Sequence, residues 1–195
     1  MNISIIGNGA RVLNRENGKF IDSCDRVVRI NKFVVDGYEK YVGSTLDIYC
    51  SKWHKIEHRE QHFIDRHAEF WFPHPAPPTR WGSLGGVDPI DATVHEKNKA
   101  KFNIHDNQIK FLSAKTRQHL DEHFDNTTPS VGMIAIAMTM CLFPHADIHI
   151  TGMDGMMNGW YWDQSHDCME NCRNSLIKEK IFYRKMLNKS NIHEL

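Results

Sequence analysis

The sequence has no long apolar run, no excess of charge of either sign and few cysteines. None of its apolar stretches approaches the eighteen or so residues that a membrane-spanning helix needs, and a predicted first strand from Asn2 leaves no room for a signal peptide. Its 24 basic residues balance 24 acidic ones, which gives no electrostatic reason to expect a nucleic-acid partner. Five scattered cysteines favour reduced thiols over a disulfide framework. We therefore expect a cytoplasmic protein without a transmembrane segment.

The apolar pattern predicts one α/β domain over residues 1–195. The chain is 41% apolar, which at this length is enough for a core of its own. Strand-like apolar runs recur at residues 3–6, 26–30, 46–50, 69–72, 109–112 and 148–151. Helical patterns lie at residues 54–67, 113–124, 131–141 and 168–187. This alternation predicts a single doubly wound, mostly parallel sheet with helices on both faces, of the Rossmann-like kind.

Proline and glycine cluster in one part of the sequence, at about residues 73–98. These residues break regular structure, so the pattern predicts a long irregular loop. Trp71 and Trp81 either line a ligand surface there or pack the loop onto the domain. The aromatic residues of this loop also leave a homo-oligomer open.

The first predicted strand leads directly into Gly7, Asn8 and Gly9. Glycine permits positive φ and a close approach of the backbone, so such a turn suits a phosphate or a ribose. The second strand leads to Asn31, and in open α/β sheets ligands bind in the crevice at the carboxyl ends of the strands. The pattern indicates a nucleotide site; the alternative is a tight turn followed by an ordinary strand.

Ser130 and Gly132 open the apolar helix of residues 131–141. A hydroxyl and backbone N–H groups at a helix N-terminus favour a carboxylate or a phosphate, although serine is also a common N-cap there. Gly152 and Asp154 follow the next strand and are expected beside the same crevice.

His166 follows an aromatic segment that contains Tyr161. Histidine is the side chain best suited to accept a proton near neutral pH. Tyr161 is near enough in sequence to stabilise a leaving group, and Glu170 is placed to orient the imidazole. Since the chain has thirteen histidines, the alternative is that His166 is inert.

These motifs, in this order, resemble the sialyltransferases, both the sialylmotif-bearing family of animals and the bacterial lipooligosaccharide family. Residues 5–9 with residues 21–31 resemble the large sialylmotif, which binds the CMP part of the donor. Residues 129–132, running on to Gly152, resemble the small sialylmotif, and residues 152–154 are similar to the bacterial form of that strand end. His166 with Glu170 resembles the very small motif, with three residues between them instead of the usual four.

The resemblance implies a sialyltransferase-type fold and a metal-independent, inverting glycosyltransferase. The enzyme would move a sugar, in the first place sialic acid, from a CMP-sugar donor to a hydroxyl of a glycan acceptor. His166 would be the general base, Tyr161 would stabilise the departing phosphate and Glu170 would orient the base. The residues implied in donor binding are Gly7, Asn8, Gly9, Asn31, Ser130, Gly132, Gly152 and Asp154. Among them, Asn8 and Asn31 would bind the phosphate and ribose of CMP, Ser130 and Gly132 the carboxylate of the sugar, and Asp154 the nucleotide end.

No metal or other cofactor is expected, and the sequence lacks the Asp-x-Asp triplet with which many glycosyltransferases hold a divalent cation. The segment of residues 154–166 predicts a lid shorter than that of the bacterial enzymes. A short lid leaves open a CMP-sugar hydrolase or a transferase to an unusual acceptor. A non-catalytic nucleotide-binding module is a third alternative.

Overall fold

A parallel sheet organises the chain. The computed structural model describes residues 1–51, 68–72, 96–97, 99–101, 103–124, 129–153, 159–163 and 173–195. Its strands are β1 (Asn2–Ile6), β2 (Arg26–Ile30), β3 (Ile48–Cys50), β4 (Glu69–Phe72), β5 (Ile109–Phe111), β6 (Asp147–Thr151) and β7 (Ile192–Glu194). They lie in the order β5-β4-β3-β2-β1-β6-β7, and every neighbouring pair is parallel. The strand order reverses at β1, between β2 and β6, which makes the carboxyl end of β1 the place where such sheets bind ligands.

The α/β fold with one parallel sheet is confirmed. All six runs predicted as strands form strands. In β1, β2, β3, β4 and β6 most side chains are buried, which leaves a continuous apolar signal, whereas β5 at the edge of the sheet has an exposed Lys110 at its centre. The third run was predicted from residue 46, whereas β3 starts at Ile48. β7 was missed because it has three residues and only Ile192 among them is apolar, too little for any period to show.

Helices cover both faces of the sheet. They are α1 (Gly18–Asp22), α2 (Glu39–Val42), α3 (Ala114–Phe124), α4 (Val131–Leu142) and α5 (Arg173–Leu187), with short 3-10 helices at Ala10–Asn14 and Asp106–Gln108. α3, α4 and α5 share one core with residues of β1, β2 and β6. α1 and α2 pack on a second core with Ile6 and Val27.

α4 is the centre of the larger core. Its residues from Val131 to Thr139 are all buried, since the helix lies between the sheet and its neighbouring helices. The predicted helices of residues 113–124 and 131–141 are confirmed to within one residue at each end. The predicted helix of residues 54–67, most of the loop of residues 73–98 and the start of the last helix lie outside the described residues. Within the described ranges, no helix has the length and apolar character to cross a membrane.

Candidate functional site

The ends of β1 and β6 approach each other closely at Gly7 and Gly152. The Gly7 N–H donates to the Thr151 carbonyl at 2.8 Å, and the Gly9 N–H donates to the Gly152 carbonyl at 2.9 Å. A Cβ added to Gly7 would lie 2.3 Å from the Gly152 carbonyl oxygen, and Gly152 has a φ of 68°. Both glycines are therefore required by this backbone approach. The N–H groups of Gly7 and Gly9 serve the β6 segment, so a phosphate at this turn needs other donors.

Asn8 joins the ends of β1 and β2. Its side-chain Nδ2 donates to the carbonyls of Ile30 at 3.0 Å and Lys32 at 2.9 Å. These two contacts fix the orientation of the amide, because only the nitrogen donates. Its Oδ1 is buried and has no hydrogen-bond partner among the described residues. Asn8 thus offers an acceptor oxygen to whatever enters the crevice.

Asn31 follows β2 in a left-handed conformation, with a φ of 51°. Asparagine tolerates this region better than most residues, but the conformation still costs about 1 kcal/mol. Its N–H donates to the Cys50 carbonyl at 2.9 Å, and its Oδ1 accepts from the Ser51 hydroxyl at 3.3 Å. The carboxyl ends of β2 and β3 therefore hold Asn31 in place, and its Nδ2 is the donor that remains for a ligand.

Arg29 supports the same end of β2 from inside the protein, a role that sequence reasoning missed. Its fully buried guanidinium donates to the carbonyls of Val42, Gly43 and Thr45, each at 2.9 Å. Burial lowers the pKa of Arg29 to about 10, against a smaller opposite effect of Tyr161. The sequence did carry a signal of this role, because Arg29 is a charged residue within the apolar run that predicts β2. Its contacts tie the strand that carries Asn31 to the turn after α2.

Ser130 at the N-terminus of α4 binds a carboxylate of the chain itself. Its N–H donates to Glu179 Oε1 at 2.6 Å, and its hydroxyl donates to Glu179 Oε2 at 2.9 Å. Glu179 lies on α5 and is 5% exposed. The prediction that this helix end suits a carboxylate agrees with this contact, but Glu179 takes the donors of Ser130 that were assigned to the sugar.

Glu179 was missed by sequence reasoning, although a signal was present. The inward stripe of α5 runs through Leu176, Phe182 and Met186, all buried. Glu179 falls on that stripe, three residues after the first of them. A glutamate on the apolar side of an amphipathic helix predicts a buried partner.

Glu179 should make stability depend on pH. Burial raises the pKa of its carboxyl above the ordinary value of 4.5, while the hydrogen bonds from Ser130 oppose this effect. The folded state then holds its proton more tightly than the unfolded state, so the free energy of unfolding falls as the pH rises from about 4.5 through the raised pKa. Each pKa unit between the two states corresponds to about 1.4 kcal/mol. We expect Glu179→Gln to remove this decrease.

Urea unfolding between pH 4 and 8 measures that effect. The exposed Glu122, replaced by Gln, is the matched control. The difference in unfolding free energy between wild type and Glu179→Gln should change across this range. Curves that run parallel for all three proteins would show that Glu179 titrates alike in both states.

One pocket collects the residues predicted to bind a donor. It has a volume of about 100 Å³ and lies at the carboxyl ends of β1, β2 and β6. Its lining includes Gly7, Asn8, Gly9, Asn31, Ser130, Gly132 and Gly152. Met153 forms part of its wall, and a Cβ on Gly132 would lie 2.8 Å from the Met153 sulfur. Four separate segments of the chain therefore meet here, as their placement in sequence predicted.

Tyr161 lies beside this pocket but in a buried position. Its hydroxyl donates to the Val34 carbonyl and accepts from the Val34 N–H at 3.1 Å. Burial raises the pKa of Tyr161 to about 12, although the Val34 contact and the Arg29 charge act in the opposite direction. The Tyr161 hydroxyl is thus hydrogen-bonded to the Val34 backbone. Its predicted role, to stabilise the departing phosphate, stays an untested prediction.

Three further predicted residues, Asp154, His166 and Glu170, lie outside the described residues. Gly159 to Asp163 are described, and this segment returns over the glycine turn: the Tyr161 N–H donates to the Asn8 carbonyl at 3.0 Å.

No group of three or more His, Cys, Asp or Glu side chains suited to a metal occurs in the described part of the chain. The expectation that no metal is needed stays a prediction.

Comparisons with known proteins bear on this site. Residues 3–71, about a third of the chain, match the model of a family described as glycosyltransferase family 29 (sialyltransferase). The crystal structure of a mammalian sialyltransferase in complex with Gal-beta-1-3GalNAc-ortho-nitrophenol is 18% identical, with a TM-score of 0.66. A second crystal structure of a mammalian sialyltransferase is 16% identical, with a TM-score of 0.67. Each of the two structural alignments covers 100% of this chain and 68% of the sialyltransferase chain.

No curated protein matches the chain in sequence. At these identities the two crystal structures show a shared fold, and the family model covers the segment that contains Gly7, Asn8, Gly9 and Asn31. The predicted resemblance to sialyltransferases is confirmed. Together the comparisons support a glycosyltransferase of the sialyltransferase type.

Proposed function

We propose that this chain, similar to sialyltransferases in fold and in its first motif, transfers sialic acid from a CMP-sugar to a hydroxyl of a glycan, with inversion and without a metal. The observation that carries the proposal is the pocket at the ends of β1, β2 and β6. Seven of the residues that the resemblance assigned to the donor line it, and they come from four segments of the sequence.

The two asparagines suit different parts of a nucleotide. Asn8 offers only its buried Oδ1, because Nδ2 serves two backbone carbonyls. An acceptor of this kind fits a ribose hydroxyl and not a phosphate oxygen, which is itself an acceptor. Asn31 has the remaining Nδ2 donor and fits the phosphate. The proposal therefore assigns Asn8 to the ribose and Asn31 to the phosphate.

The pocket must widen to admit a donor. Its volume of about 100 Å³ is below the roughly 300 Å³ at which ligand pockets commonly begin. Met153 lies in the wall that this pocket shares with a larger neighbouring cleft. An unbranched thioether side chain has three rotatable bonds and adapts easily. Rotation of Met153 would join the two spaces without movement of the sheet.

For the chemical step, the proposal keeps His166 as the general base. The base takes the proton of the acceptor hydroxyl as its oxygen attacks the anomeric carbon. The bond between that carbon and the phosphate oxygen breaks, and CMP leaves with the electron pair. A single displacement of this kind inverts the anomeric configuration. The chemistry depends on hydrogen bonds to the departing phosphate, and Nδ2 of Asn31 would donate one of them.

One observation favours a second candidate, a nucleotide-binding module without transfer. The donors of Ser130 that were assigned to the carboxylate of the sugar are used by Glu179, whereas the residues assigned to the nucleotide keep unused groups. Under this second candidate, the chain binds CMP but does not turn over a CMP-sugar. A donor-turnover assay separates the two candidates.

Calorimetric titration with CMP, beside UMP, UDP, GDP and AMP, tests the proposal. Each titration is run with and without EDTA. We expect binding that selects CMP, as the resemblance implies, and that is unaffected by EDTA, because the two asparagines would hold the ribose and the phosphate without a metal. Failure to bind CMP, or preference for a diphosphate that needs a metal, would falsify the proposal. Selective CMP binding with no donor turnover would replace it by the second candidate.

A further inference from the structure

A second, larger cleft adjoins the proposed donor pocket. Its volume is about 570 Å³, and it lies between the 3-10 helix of Ala10–Asn14 and α5. It shares with the donor pocket Met133, Gly152, Met153 and Glu179. A volume of this size accommodates a mono- or disaccharide. The cleft therefore offers room directly beside the place where the donor would react.

The cleft is rimmed by positive charge. Four basic side chains line it, all exposed: Arg11, Arg15, Lys180 and Arg184. The whole chain has a formal net charge of zero, so these charges are concentrated locally. Two of these basic residues belong to the segment after β1 and two to α5, so two independent elements contribute the positive charge. Three of the four are arginines, whose planar guanidinium binds phosphate and carboxylate groups in pairs of hydrogen bonds.

Two acidic side chains lie in the cleft against its four basic ones, and both accept hydrogen bonds within the protein. Glu179 accepts two hydrogen bonds from Ser130. Glu194 accepts one from the Tyr183 hydroxyl at 3.2 Å. Tyr183 is also the one aromatic ring in the described lining. A neutral sugar commonly stacks on aromatic faces, so this lining suits an anion better than an uncharged glycan.

We infer that the cleft holds the anionic group of an acidic acceptor, a sugar that carries a phosphate or a carboxylate. This inference rests on the proposed function, since the acceptor must lie next to the donor. The basic rim binds the charged group, and Met153, which lines both spaces, lies between it and the donor. The cleft thereby selects acidic sugars over neutral ones of the same size.

Binding of galactose 6-phosphate, with galactose as its neutral match, tests the inference. Galacturonic acid provides the carboxylate arm and inorganic phosphate the arm without a sugar. The test variant is the double replacement Arg15→Gln with Arg184→Gln. The matched control is Lys19→Gln with Lys185→Gln, which removes two exposed charges outside the cleft. All four residues are exposed, so neither variant is expected to impair folding.

We expect galactose 6-phosphate to bind at least about tenfold more tightly than galactose, and its Kd to rise about tenfold in the arginine variant. The lysine variant should bind it as wild type does. The affinity for CMP should be the same in all three proteins. The difference between sugars should also shrink in high salt, because exposed charges are screened. Whichever of the phosphate and carboxylate arms binds more tightly identifies the group.

Three results overturn the inference. The first is that galactose binds to wild type as tightly as galactose 6-phosphate does, and the second is that the arginine variant binds galactose 6-phosphate as tightly as the lysine variant does. The third is competition between CMP and galactose 6-phosphate, which would make the cleft part of the donor site. Any of these leaves the proposed function standing if CMP still binds selectively. Conversely, arginine-dependent binding of galactose 6-phosphate without CMP binding retains the anion cleft and removes the CMP-sugar proposal.

Discussion

Replacing Asn8 by Asp is expected to lower the affinity for CMP by at least about a hundredfold. Nδ2 of Asn8 donates to the carbonyls of Ile30 and Lys32, and a carboxylate would place acceptor oxygens against both. The side chain would turn away from both carbonyls and withdraw the oxygen that faces the ribose hydroxyl, and the loss of that hydrogen bond costs about 1–3 kcal/mol of binding free energy. The new negative charge also lies beside the expected phosphate. A hundredfold loss corresponds to about 2.7 kcal/mol, well within the sum of these effects.

Calorimetric titration with CMP measures this loss, with two controls. Asn188→Asp makes the same chemical change at an exposed position after α5 and should leave the affinity unchanged. His166→Ala should keep the affinity for CMP and lower the rate of transfer by about a hundred- to ten-thousand-fold, the usual contribution of a general base. Wild-type affinity in a folded Asn8→Asp protein would remove Asn8 from the donor site, and undiminished transfer by His166→Ala would remove the base.

Replacing Gly7 by Ala is expected to destabilise the protein by about 3 kcal/mol, at the upper end of what overpacking costs. The new methyl group would lie 2.3 Å from the Gly152 carbonyl oxygen and 2.7 Å from its carbonyl carbon. Both atoms belong to the backbone, so no side chain can rotate away. Either β1 and β6 separate at their carboxyl ends or the turn shifts, and the donor pocket opens at its floor in both cases.

Urea unfolding of Gly7→Ala beside Gly37→Ala isolates this effect. Gly37 has a φ of 84° and nothing within 4 Å of an added Cβ. Its replacement therefore costs only backbone strain, about 1 kcal/mol. Because of the close approach, the free energy of unfolding should fall by about 2 kcal/mol more in Gly7→Ala than in Gly37→Ala. Gly7→Ala should also lose CMP binding, whereas Gly37→Ala should keep it. Equal losses in the two variants would mean that the approach of Gly7 to Gly152 relaxes freely.

The local pattern of the sequence accounts for the sheet and for the place of the site. Strands such as β2 and β4 are runs of side chains buried on both faces, so composition alone reveals them. The switch point follows from the order of strands, and a polar or glycine residue after each strand there is visible in the sequence. This is why Gly7, Asn31 and Gly152 could be assigned to one crevice.

The partners of these residues could not be predicted, because they are distant in sequence. Ser130 binds Glu179, 49 residues away, and Tyr161 binds Val34, 127 residues away. Each contact changes the interpretation of its residue, since it uses groups that were assigned to a ligand. No periodicity encodes such a pair, whose members are joined only when α5 packs on α4 or when the segment after β6 returns over β1.

The position of β1 inside the sheet, between β2 and β6, determines when the site can form. Asn2 on β1 lies beside His149 on β6, 147 residues further along the chain. Contacts this distant require closure of a long loop and generally form late in folding. During synthesis, β1 and β2 would leave the ribosome well before the strand that completes their crevice. The stretch of residues 3–71 that matches the family model carries Gly7 and Asn31 but not Gly152, so it should bind no nucleotide until the last third of the chain has folded onto it.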